Sequence, residues 1–208
     1  MNRPARLLLI LAAACLLPVS SFAATQNVGL RSHTIKVDIT GGVATTTLEQ
    51  VWVNYTNQQQ EAVFRFRLPV EAAAHDLVLW VEGKRTPAEV LPRVTAEEIY
   101  RQIREQRRDP ALLTSLGGGR WQLRIFPLPP KGTQKVQIVA SQLLRLNDGW
   151  LTFDCLREDG GSTVETANDF DFTAELRVPG GVKDLLCVDL ELGVQREADA
   201  PWILGARC

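Results

Sequence analysis

The chain has 208 residues, of which 45% are hydrophobic, and its formal net charge at pH 7 is −1. This length and composition are typical of one or two globular domains and exclude a disordered or fibrous protein. Because the charge is close to neutral, the chain has no overall electrostatic attraction to nucleic acid or anionic lipid, and we expect no nucleic-acid partner.

The first 23 residues have the pattern of a secretory signal peptide. Arg3 and Arg6 precede a 13-residue apolar run, Leu7 to Val19, and the small residues Ser21 and Ala23 occupy the −3 and −1 positions of a cleavage site. The run is too short for a membrane-spanning helix. We expect cleavage after Ala23, which leaves 21 basic and 24 acidic residues and a net charge of −3.

A second interpretation treats Leu11 to Cys15 as a lipoprotein box, in which Cys15 becomes the lipidated first residue of the mature chain. The next residues, LLPV, are apolar where a lipoprotein tether is usually polar, so cleavage after Ala23 is favoured. On either interpretation the protein is exported and is periplasmic, at the cell surface or secreted. It contacts a membrane only if Cys15 is lipidated.

From Val28 onward, alternating polar and apolar residues predict β-strands. A hairpin is expected around the turn Gly41-Gly42, followed by the strand AVFRFRL, which ends at Pro69. A second hairpin is expected between the alternating runs 121–125 and 136–140. About nine or ten such strands predict a mostly β protein, an antiparallel β-sandwich.

One segment has helical spacing instead. Thr95 and Glu98 form a capping box, in which each side chain satisfies a backbone N–H group at a helix start. Apolar residues then recur at helical spacing from Ala96 to Ile103, and Asp109-Pro110 lies where the helix should end. The pattern predicts one principal amphipathic helix over about 95–108.

Four arginines cluster on this predicted helix: Arg101, Arg104, Arg107 and Arg108. They form a candidate partner-contact face, because guanidinium groups suit carboxylate or sulfate groups on a protein or polysaccharide. The favoured interpretation is a solvated helix face that neighbouring glutamates partly neutralise.

Three cysteines remain after the predicted cleavage. Cys155 and Cys187 lie in strand-like runs and could form a disulfide in an oxidising compartment, which would leave Cys208 unpaired. Two buried free thiols fit the pattern about equally well. No cysteine and histidine spacing suggests a zinc site, so no metal is expected.

The sequence contains no catalytic motif. Neither His33 nor His75 stands beside a nucleophile motif, and Leu116–Arg120 lacks the Lys-Ser/Thr pair of a phosphate-binding loop. We therefore interpret that glycine-rich stretch as a flexible loop that leads into a hairpin. We expect a protein that is not an enzyme and has no cofactor, and a hydrolase on a β scaffold is the remote alternative.

Six sequence blocks, in order, resemble the vault protein inter-alpha-trypsin (VIT) domain family. They are FRLPVEAAA from Phe66, VEGK from Val81, AEEIY from Ala96, PALL from Pro110, WQLRI from Trp121 and PPKG from Pro129. The similarity spans about Val28 to Leu144, and the order of the blocks makes it specific. Ala140 departs from the larger residue expected in the last strand.

The resemblance implies a non-catalytic, extracellular or assembly-type β domain that mediates protein–protein contact. In this family the domain usually precedes a von Willebrand factor type A domain, as in the inter-alpha-trypsin inhibitor heavy chains. The type A domain binds metal through an Asp-x-Ser-x-Ser loop, which this sequence lacks, so metal-dependent adhesion is not carried over. The expected partner is an unidentified protein, such as a type A domain in another chain.

The expected organisation has three parts. Residues 1–23 are the signal peptide and 24–146 are the VIT-like domain. Residues 147–208 are additional β-strands that extend the sandwich, or the start of a linker to a missing domain. The chain is expected to be either an interaction domain by itself or a truncated VIT and type A protein, and a structural lipoprotein anchored at Cys15 is the alternative.

Overall fold

The structure is a computed structural model that describes residues 5–10, 27–69, 71–81, 83–88, 90–91, 111–159, 167–179, 182–187, 193–195 and 202–207. Across these ranges the chain forms strands and turns and no helix. In particular, none of the described segments is a helix long and apolar enough to cross a membrane. The prediction of a mostly β protein is confirmed for this part of the chain.

The described strands, in chain order, are β1 (Ala5–Ile10), β2 (Val28–Thr40), β3 (Val43–Asn54), β4 (Gln60–Arg67), β5 (Ala72–Val81), β6 (Lys84–Ala88), β7 (Val90–Leu91), β8 (Ala111–Gly117), β9 (Arg120–Leu128), β10 (Thr133–Leu143), β11 (Arg145–Asn147), β12 (Trp150–Asp154), β13 (Arg157–Glu158), β14 (Ala167–Arg177), β15 (Val182–Cys187), β16 (Gly193–Gln195) and β17 (Trp202–Arg207). They form three sheets. The eight-stranded sheet has the order β16-β17-β14-β2-β3-β10-β5-β6, the five-stranded sheet β13-β4-β9-β8-β7, and the four-stranded sheet β11-β12-β1-β15.

The eight-stranded and five-stranded sheets enclose a shared apolar core. In β4 the alternation buries Phe64 and Phe66 and leaves Arg67 exposed, since neighbouring side chains of a strand point to opposite faces. Trp52 of β3 meets Phe64 across the two sheets, with ring centroids 6.2 Å apart. Burial of each such aromatic side chain stabilises the fold by roughly 1.5–3 kcal/mol.

The sheets are mainly antiparallel, as predicted, and they include parallel pairs that the sequence did not indicate. Most neighbours are antiparallel, but β14 runs parallel to β2, β1 runs parallel to both β12 and β15, and β7 runs parallel to β8. Parallel neighbours require a long connection, and all the strands from β3 to β13 lie between β2 and β14 in the chain. Alternation within a strand does not encode its direction relative to a distant neighbour.

Of the two predicted hairpins, the first is confirmed and the second is wrong. β2 and β3 pair around Gly41-Gly42, with Thr40 in register with Val43. In contrast, β9 pairs with β4 and β8, whereas β10 pairs with β3 and β5 in the other sheet. A chain that crosses between the sheets of a sandwich alternates in the same way as a hairpin, because both strands face the same core.

Several predictions fall on residues outside the described ranges. The helix predicted over 95–108, with Arg101, Arg104, Arg107 and Arg108, falls there, and so do Cys15, Ala23 and Cys208. Within the predicted signal peptide the structure describes Ala5–Ile10, which forms β1 between β12 and β15. Cleavage after Ala23 stays a prediction.

Candidate functional site

A cleft of about 460 Å³ lies where strands of all three sheets come together. The residues that line it are Arg67, Leu68, Pro69, Glu71, Gly118, Gln142, Arg145, Asn147, Thr152, Asp154, Cys155 and Arg157. β4 and β13 belong to the five-stranded sheet, β10 to the eight-stranded sheet, and β11 and β12 to the four-stranded sheet. We call this feature the polar cleft, because seven of its twelve lining residues are charged or carry an amide side chain.

An aspartate at the edge of the polar cleft holds two arginines. Arg67 Nη2 lies 2.8 Å from Asp159 Oδ1, and Arg120 Nε lies 2.7 Å from Asp159 Oδ2. Their hydrogen bonds and positive charges lower the pKa of the Asp159 carboxyl group below its usual value. Because a guanidinium group carries five N–H donors, one carboxylate does not saturate either arginine.

The other two arginines of the polar cleft are also beside carboxylates. Arg145 forms an ion pair with Glu71, and Arg157 Nη2 lies 4.0 Å from Asp154 Oδ1. Exposed ion pairs of this kind contribute about 0–1 kcal/mol each, so their arginines can exchange partners at little cost. The lining residues include three arginines and two carboxylates, so their net charge is +1.

The floor of the polar cleft is buried and fixed by a close backbone approach. The N–H of Leu68 donates to the carbonyl oxygen of Gly119 over 2.8 Å. Gly119 has φ +76°, and a Cβ there would lie 2.6 Å from the Leu68 oxygen. The glycine-rich stretch is the turn between β8 and β9, which pair on either side of it, and not a loop that leads into a hairpin of β9 and β10. The turn therefore requires glycine where it meets the cleft.

Cys155 borders the polar cleft as a buried thiol. Burial raises its pKa to about 12, so the sulfur stays protonated and is a poor nucleophile at neutral pH. Of the two alternatives left open by the sequence, this structure has the free thiols: Cys155 is buried and Cys187 is half-buried. Cys155 follows β12 and Cys187 ends β15, with β1 between these strands, so two strand spacings of roughly 9.6 Å separate them, and Cys187 is level with Phe153 rather than with Cys155. A disulfide needs Cα atoms within about 7 Å.

The two histidines lie in different settings. His33 packs against Phe64 and Phe170, and burial lowers its pKa to about 4, so it is neutral near pH 7. His75 is exposed, and its Nε2 lies 3.0 Å from Ser141 Oγ. Within the described residues no carboxylate contacts the His75 ring, so the pair lacks the third group that orients the base in serine hydrolases.

Local patterns did not reveal the polar cleft. Its arginines, Arg67, Arg145 and Arg157, lie on three short or terminal parts of strands that are far apart in the sequence. Each occupies an outward position of its strand, where a charged residue is ordinary. The three arginines form a cluster only when the fold brings β4, β11 and β13 together.

The family model for the vault protein inter-alpha-trypsin domain matches residues 30–140, more than half of the chain. Curated proteins gave no match.

Three solved structures are similar over large parts of the chain at low identity. A protein from Legionella pneumophila is 8% identical, with a TM-score of 0.45 over 87% of this chain and 63% of its own. The collagen-binding subdomain of the Enterococcus faecalis surface protein ACE is 9% identical, with a TM-score of 0.34 over 53% and 71%. Yeast LTA4 hydrolase is 5% identical, with a TM-score of 0.40 over 93% and 29%. The chain thus spans less than two thirds of the length of the Legionella protein.

Proposed function

Because the chain belongs to the vault protein inter-alpha-trypsin domain family, we propose that it is an exported, non-enzymatic interaction domain that binds acidic segments of a partner protein in the polar cleft. The observation that carries this proposal is the convergence of Arg67, Arg145 and Arg157 on one concave site. Guanidinium groups bind carboxylates through paired hydrogen bonds, which gives both affinity and orientation.

The size and chemistry of the polar cleft suit binding rather than catalysis. Its volume of about 460 Å³ lies within the usual range for ligand sites and can take two or three side chains of a bound segment. Its one cysteine is protonated and buried. The exposed arginine–carboxylate pairs can open to admit an incoming carboxylate at low cost. A von Willebrand factor type A domain in another chain is one partner of this kind.

Binding is tested with a fluorescein-labelled hexaglutamate peptide and fluorescence anisotropy at low salt. We expect the double change Arg67→Ala and Arg145→Ala to weaken binding by at least about tenfold, since two charge-assisted hydrogen-bond sites are lost. Arg85→Ala removes an exposed arginine of β6 that does not line the cleft and serves as the matched control. If the wild-type protein and the double variant bind the peptide with equal affinity, the polar cleft is not the binding site.

Export is tested separately by N-terminal sequencing of protein recovered outside the cytoplasm. A chain that begins at Ala24 supports the proposal, and a lipid-modified Cys15 supports the structural lipoprotein instead. Recovery of the chain only in the cytoplasm with Met1 intact contradicts both. The pattern of residues 1–23 is the support for export.

A hydrolase on this β scaffold is the second candidate function, and the short distance between His75 and Ser141 favours it. The pair is exposed and is not part of the polar cleft, so we rank it below the interaction domain. Hydrolysis of a p-nitrophenyl ester that disappears in Ser141→Ala would support this candidate. An equal rate in wild type and variant counts against it.

A further inference from the structure

Strand β15 depends on β1 for its backbone pairing. Among the described strands, β15 pairs with β1 alone, and β1 pairs with β12 on its other side. Both ladders are parallel. The central register pairs are Leu7 with Leu151 and Leu185, and Leu9 with Phe153 and Cys187. β1 thus fills a six-residue slot between β12 and β15, which we call the strand slot.

The strand slot has an apolar inner face. Leu151 and Phe153 of β12 are buried, and Leu185 and Cys187 of β15 pack against the core. Leu186, between them, is 49% exposed. In the strand slot, positions 7 and 9 of the bound strand are therefore in register with neighbours that face the core. Position 8 is level with the outer face of the sheet.

The occupant of the strand slot lies within the predicted signal peptide, residues 1–23. Cleavage after Ala23 would remove β1 and leave the facing backbone N–H and C=O groups of β12 and β15 unpaired, which is costly near an apolar core. The processed chain cannot refill the slot from its own start. Only residues 24–27 precede β2, and four extended residues reach about 14 Å, whereas six strand residues cover about 20 Å.

We propose that the processed protein binds an extended segment of a partner protein in the strand slot by β-strand addition. The segment runs parallel to β12 and β15 and carries apolar residues at alternate positions. The backbone of Ala5–Ile10 pairs in parallel with both strands, so the space between β12 and β15 admits one parallel strand. Main-chain hydrogen bonds supply affinity in this mode of binding, and side-chain pockets supply selectivity. The inference rests on signal-peptide cleavage and is independent of the polar cleft.

The experiment uses the processed protein, purified from outside the cytoplasm of cells that express the whole chain. The probe is a synthetic peptide of residues 4–11 with a C-terminal lysine tail for solubility. We expect saturable binding by anisotropy. Hydrogen exchange at residues 182–187 should be fast in the protein alone and slow with the peptide, because the missing partner strand has been supplied.

Two peptide variants test the register without altering the protein. Leu7→Asp with Leu9→Asp should weaken binding by at least about tenfold, since both positions are level with the core. Leu8→Asp should weaken it by less than about threefold. On the protein side, Leu185→Asp should abolish binding while Leu186→Asp, at an exposed neighbour, should not. Circular dichroism and thermal melting check that both protein variants are folded.

Several outcomes would overturn the proposal. They are an intact N-terminus on the exported protein, slow exchange at 182–187 without any peptide, no saturable binding, or equal affinity for the peptide variants. The peptide series gives a result even if Leu185→Asp does not fold. Saturable binding that follows the predicted register, with protection of β15, supports the slot as a partner site.

Discussion

Truncation of Asn54 to alanine should show how strongly one buried amide ties the two main sheets together. The residue ends β3 and is 1% exposed. Its Nδ2 lies 2.7 Å from the carbonyl oxygen of Gln58 and 3.0 Å from those of Leu128 and Pro129. Its Oδ1 accepts from the Thr56 N–H and hydroxyl over 2.9 and 2.8 Å. The amide thereby joins the turn after β3 to the crossover between β9 and β10.

The expected loss follows from the groups that alanine would leave unpaired. The Leu128 carbonyl would lose a buried donor, and the turn at Thr56 would lose both of its bonds to Oδ1. A buried group without its partner costs about 1–3 kcal/mol. We therefore expect Asn54→Ala to lower the free energy of unfolding by about 3–5 kcal/mol, a large part of the roughly 5–15 kcal/mol typical of a domain.

Urea unfolding followed by tryptophan fluorescence measures this loss. The midpoint should fall while the denaturant slope stays constant, because the surface exposed on unfolding hardly changes. Asn57→Ala, at an exposed position three residues away, should change stability by less than about 0.5 kcal/mol. Asn54→Asp keeps the size and the acceptors but loses the donors, so it should destabilise at least as much as alanine. A loss below about 1 kcal/mol for Asn54→Ala would refute the reasoning.

Three further changes test other parts of the fold. The pKa of His33 is about 4 in the folded state against an ordinary 6.5, so His33 is neutral near pH 7. The free energy of unfolding should therefore fall by up to about 3 kcal/mol as the pH drops from 6.5 to 4, because the unfolded chain binds the proton first. Urea unfolding at several pH values measures this loss, and His33→Gln should flatten the pH dependence. Gly119→Ala should cost about 2–4 kcal/mol because a Cβ meets a backbone oxygen at 2.6 Å, whereas Gly118→Ala, with open space around it, should cost about 1 kcal/mol in thermal melting. Alkylation of the native protein, mapped by mass spectrometry, should modify half-buried Cys187 well before Cys155, and urea should abolish the difference.

Features that depend on neighbouring residues could be predicted from the sequence. Alternation identified β4, because Phe64 and Phe66 had to face the core if Arg67 was to face solvent. The turn at Gly41-Gly42 was also accessible, since glycine provides backbone conformations that other residues adopt only with strain. The family match over residues 30–140 confirms the resemblance that the ordered blocks indicated.

Features that depend on contacts between distant residues could not be predicted. The sequences of β9 and β10 do not indicate that the chain passes from one sheet to the other between them, because both strands alternate against the same core. The parallel pairing of β14 with β2 joins residues such as Phe172 and Ile35, which no local pattern relates. The polar cleft is a product of that assembly, and its arginines look like ordinary outward-facing charges until the strands are in place.

The polar cleft is not contained in the segment that matches the family model. Arg145, Asp154 and Arg157 lie after residue 140, yet they face Arg67 and Glu71 from within the matched segment. The later strands are bound into the sandwich on both sides, since β13 pairs with β4 and β14 pairs with β2. The family segment therefore supplies one wall of the cleft, and the strands after it supply the other. Binding at this site should accordingly differ between family members whose chains diverge after the matched segment, even where the segment itself is the same.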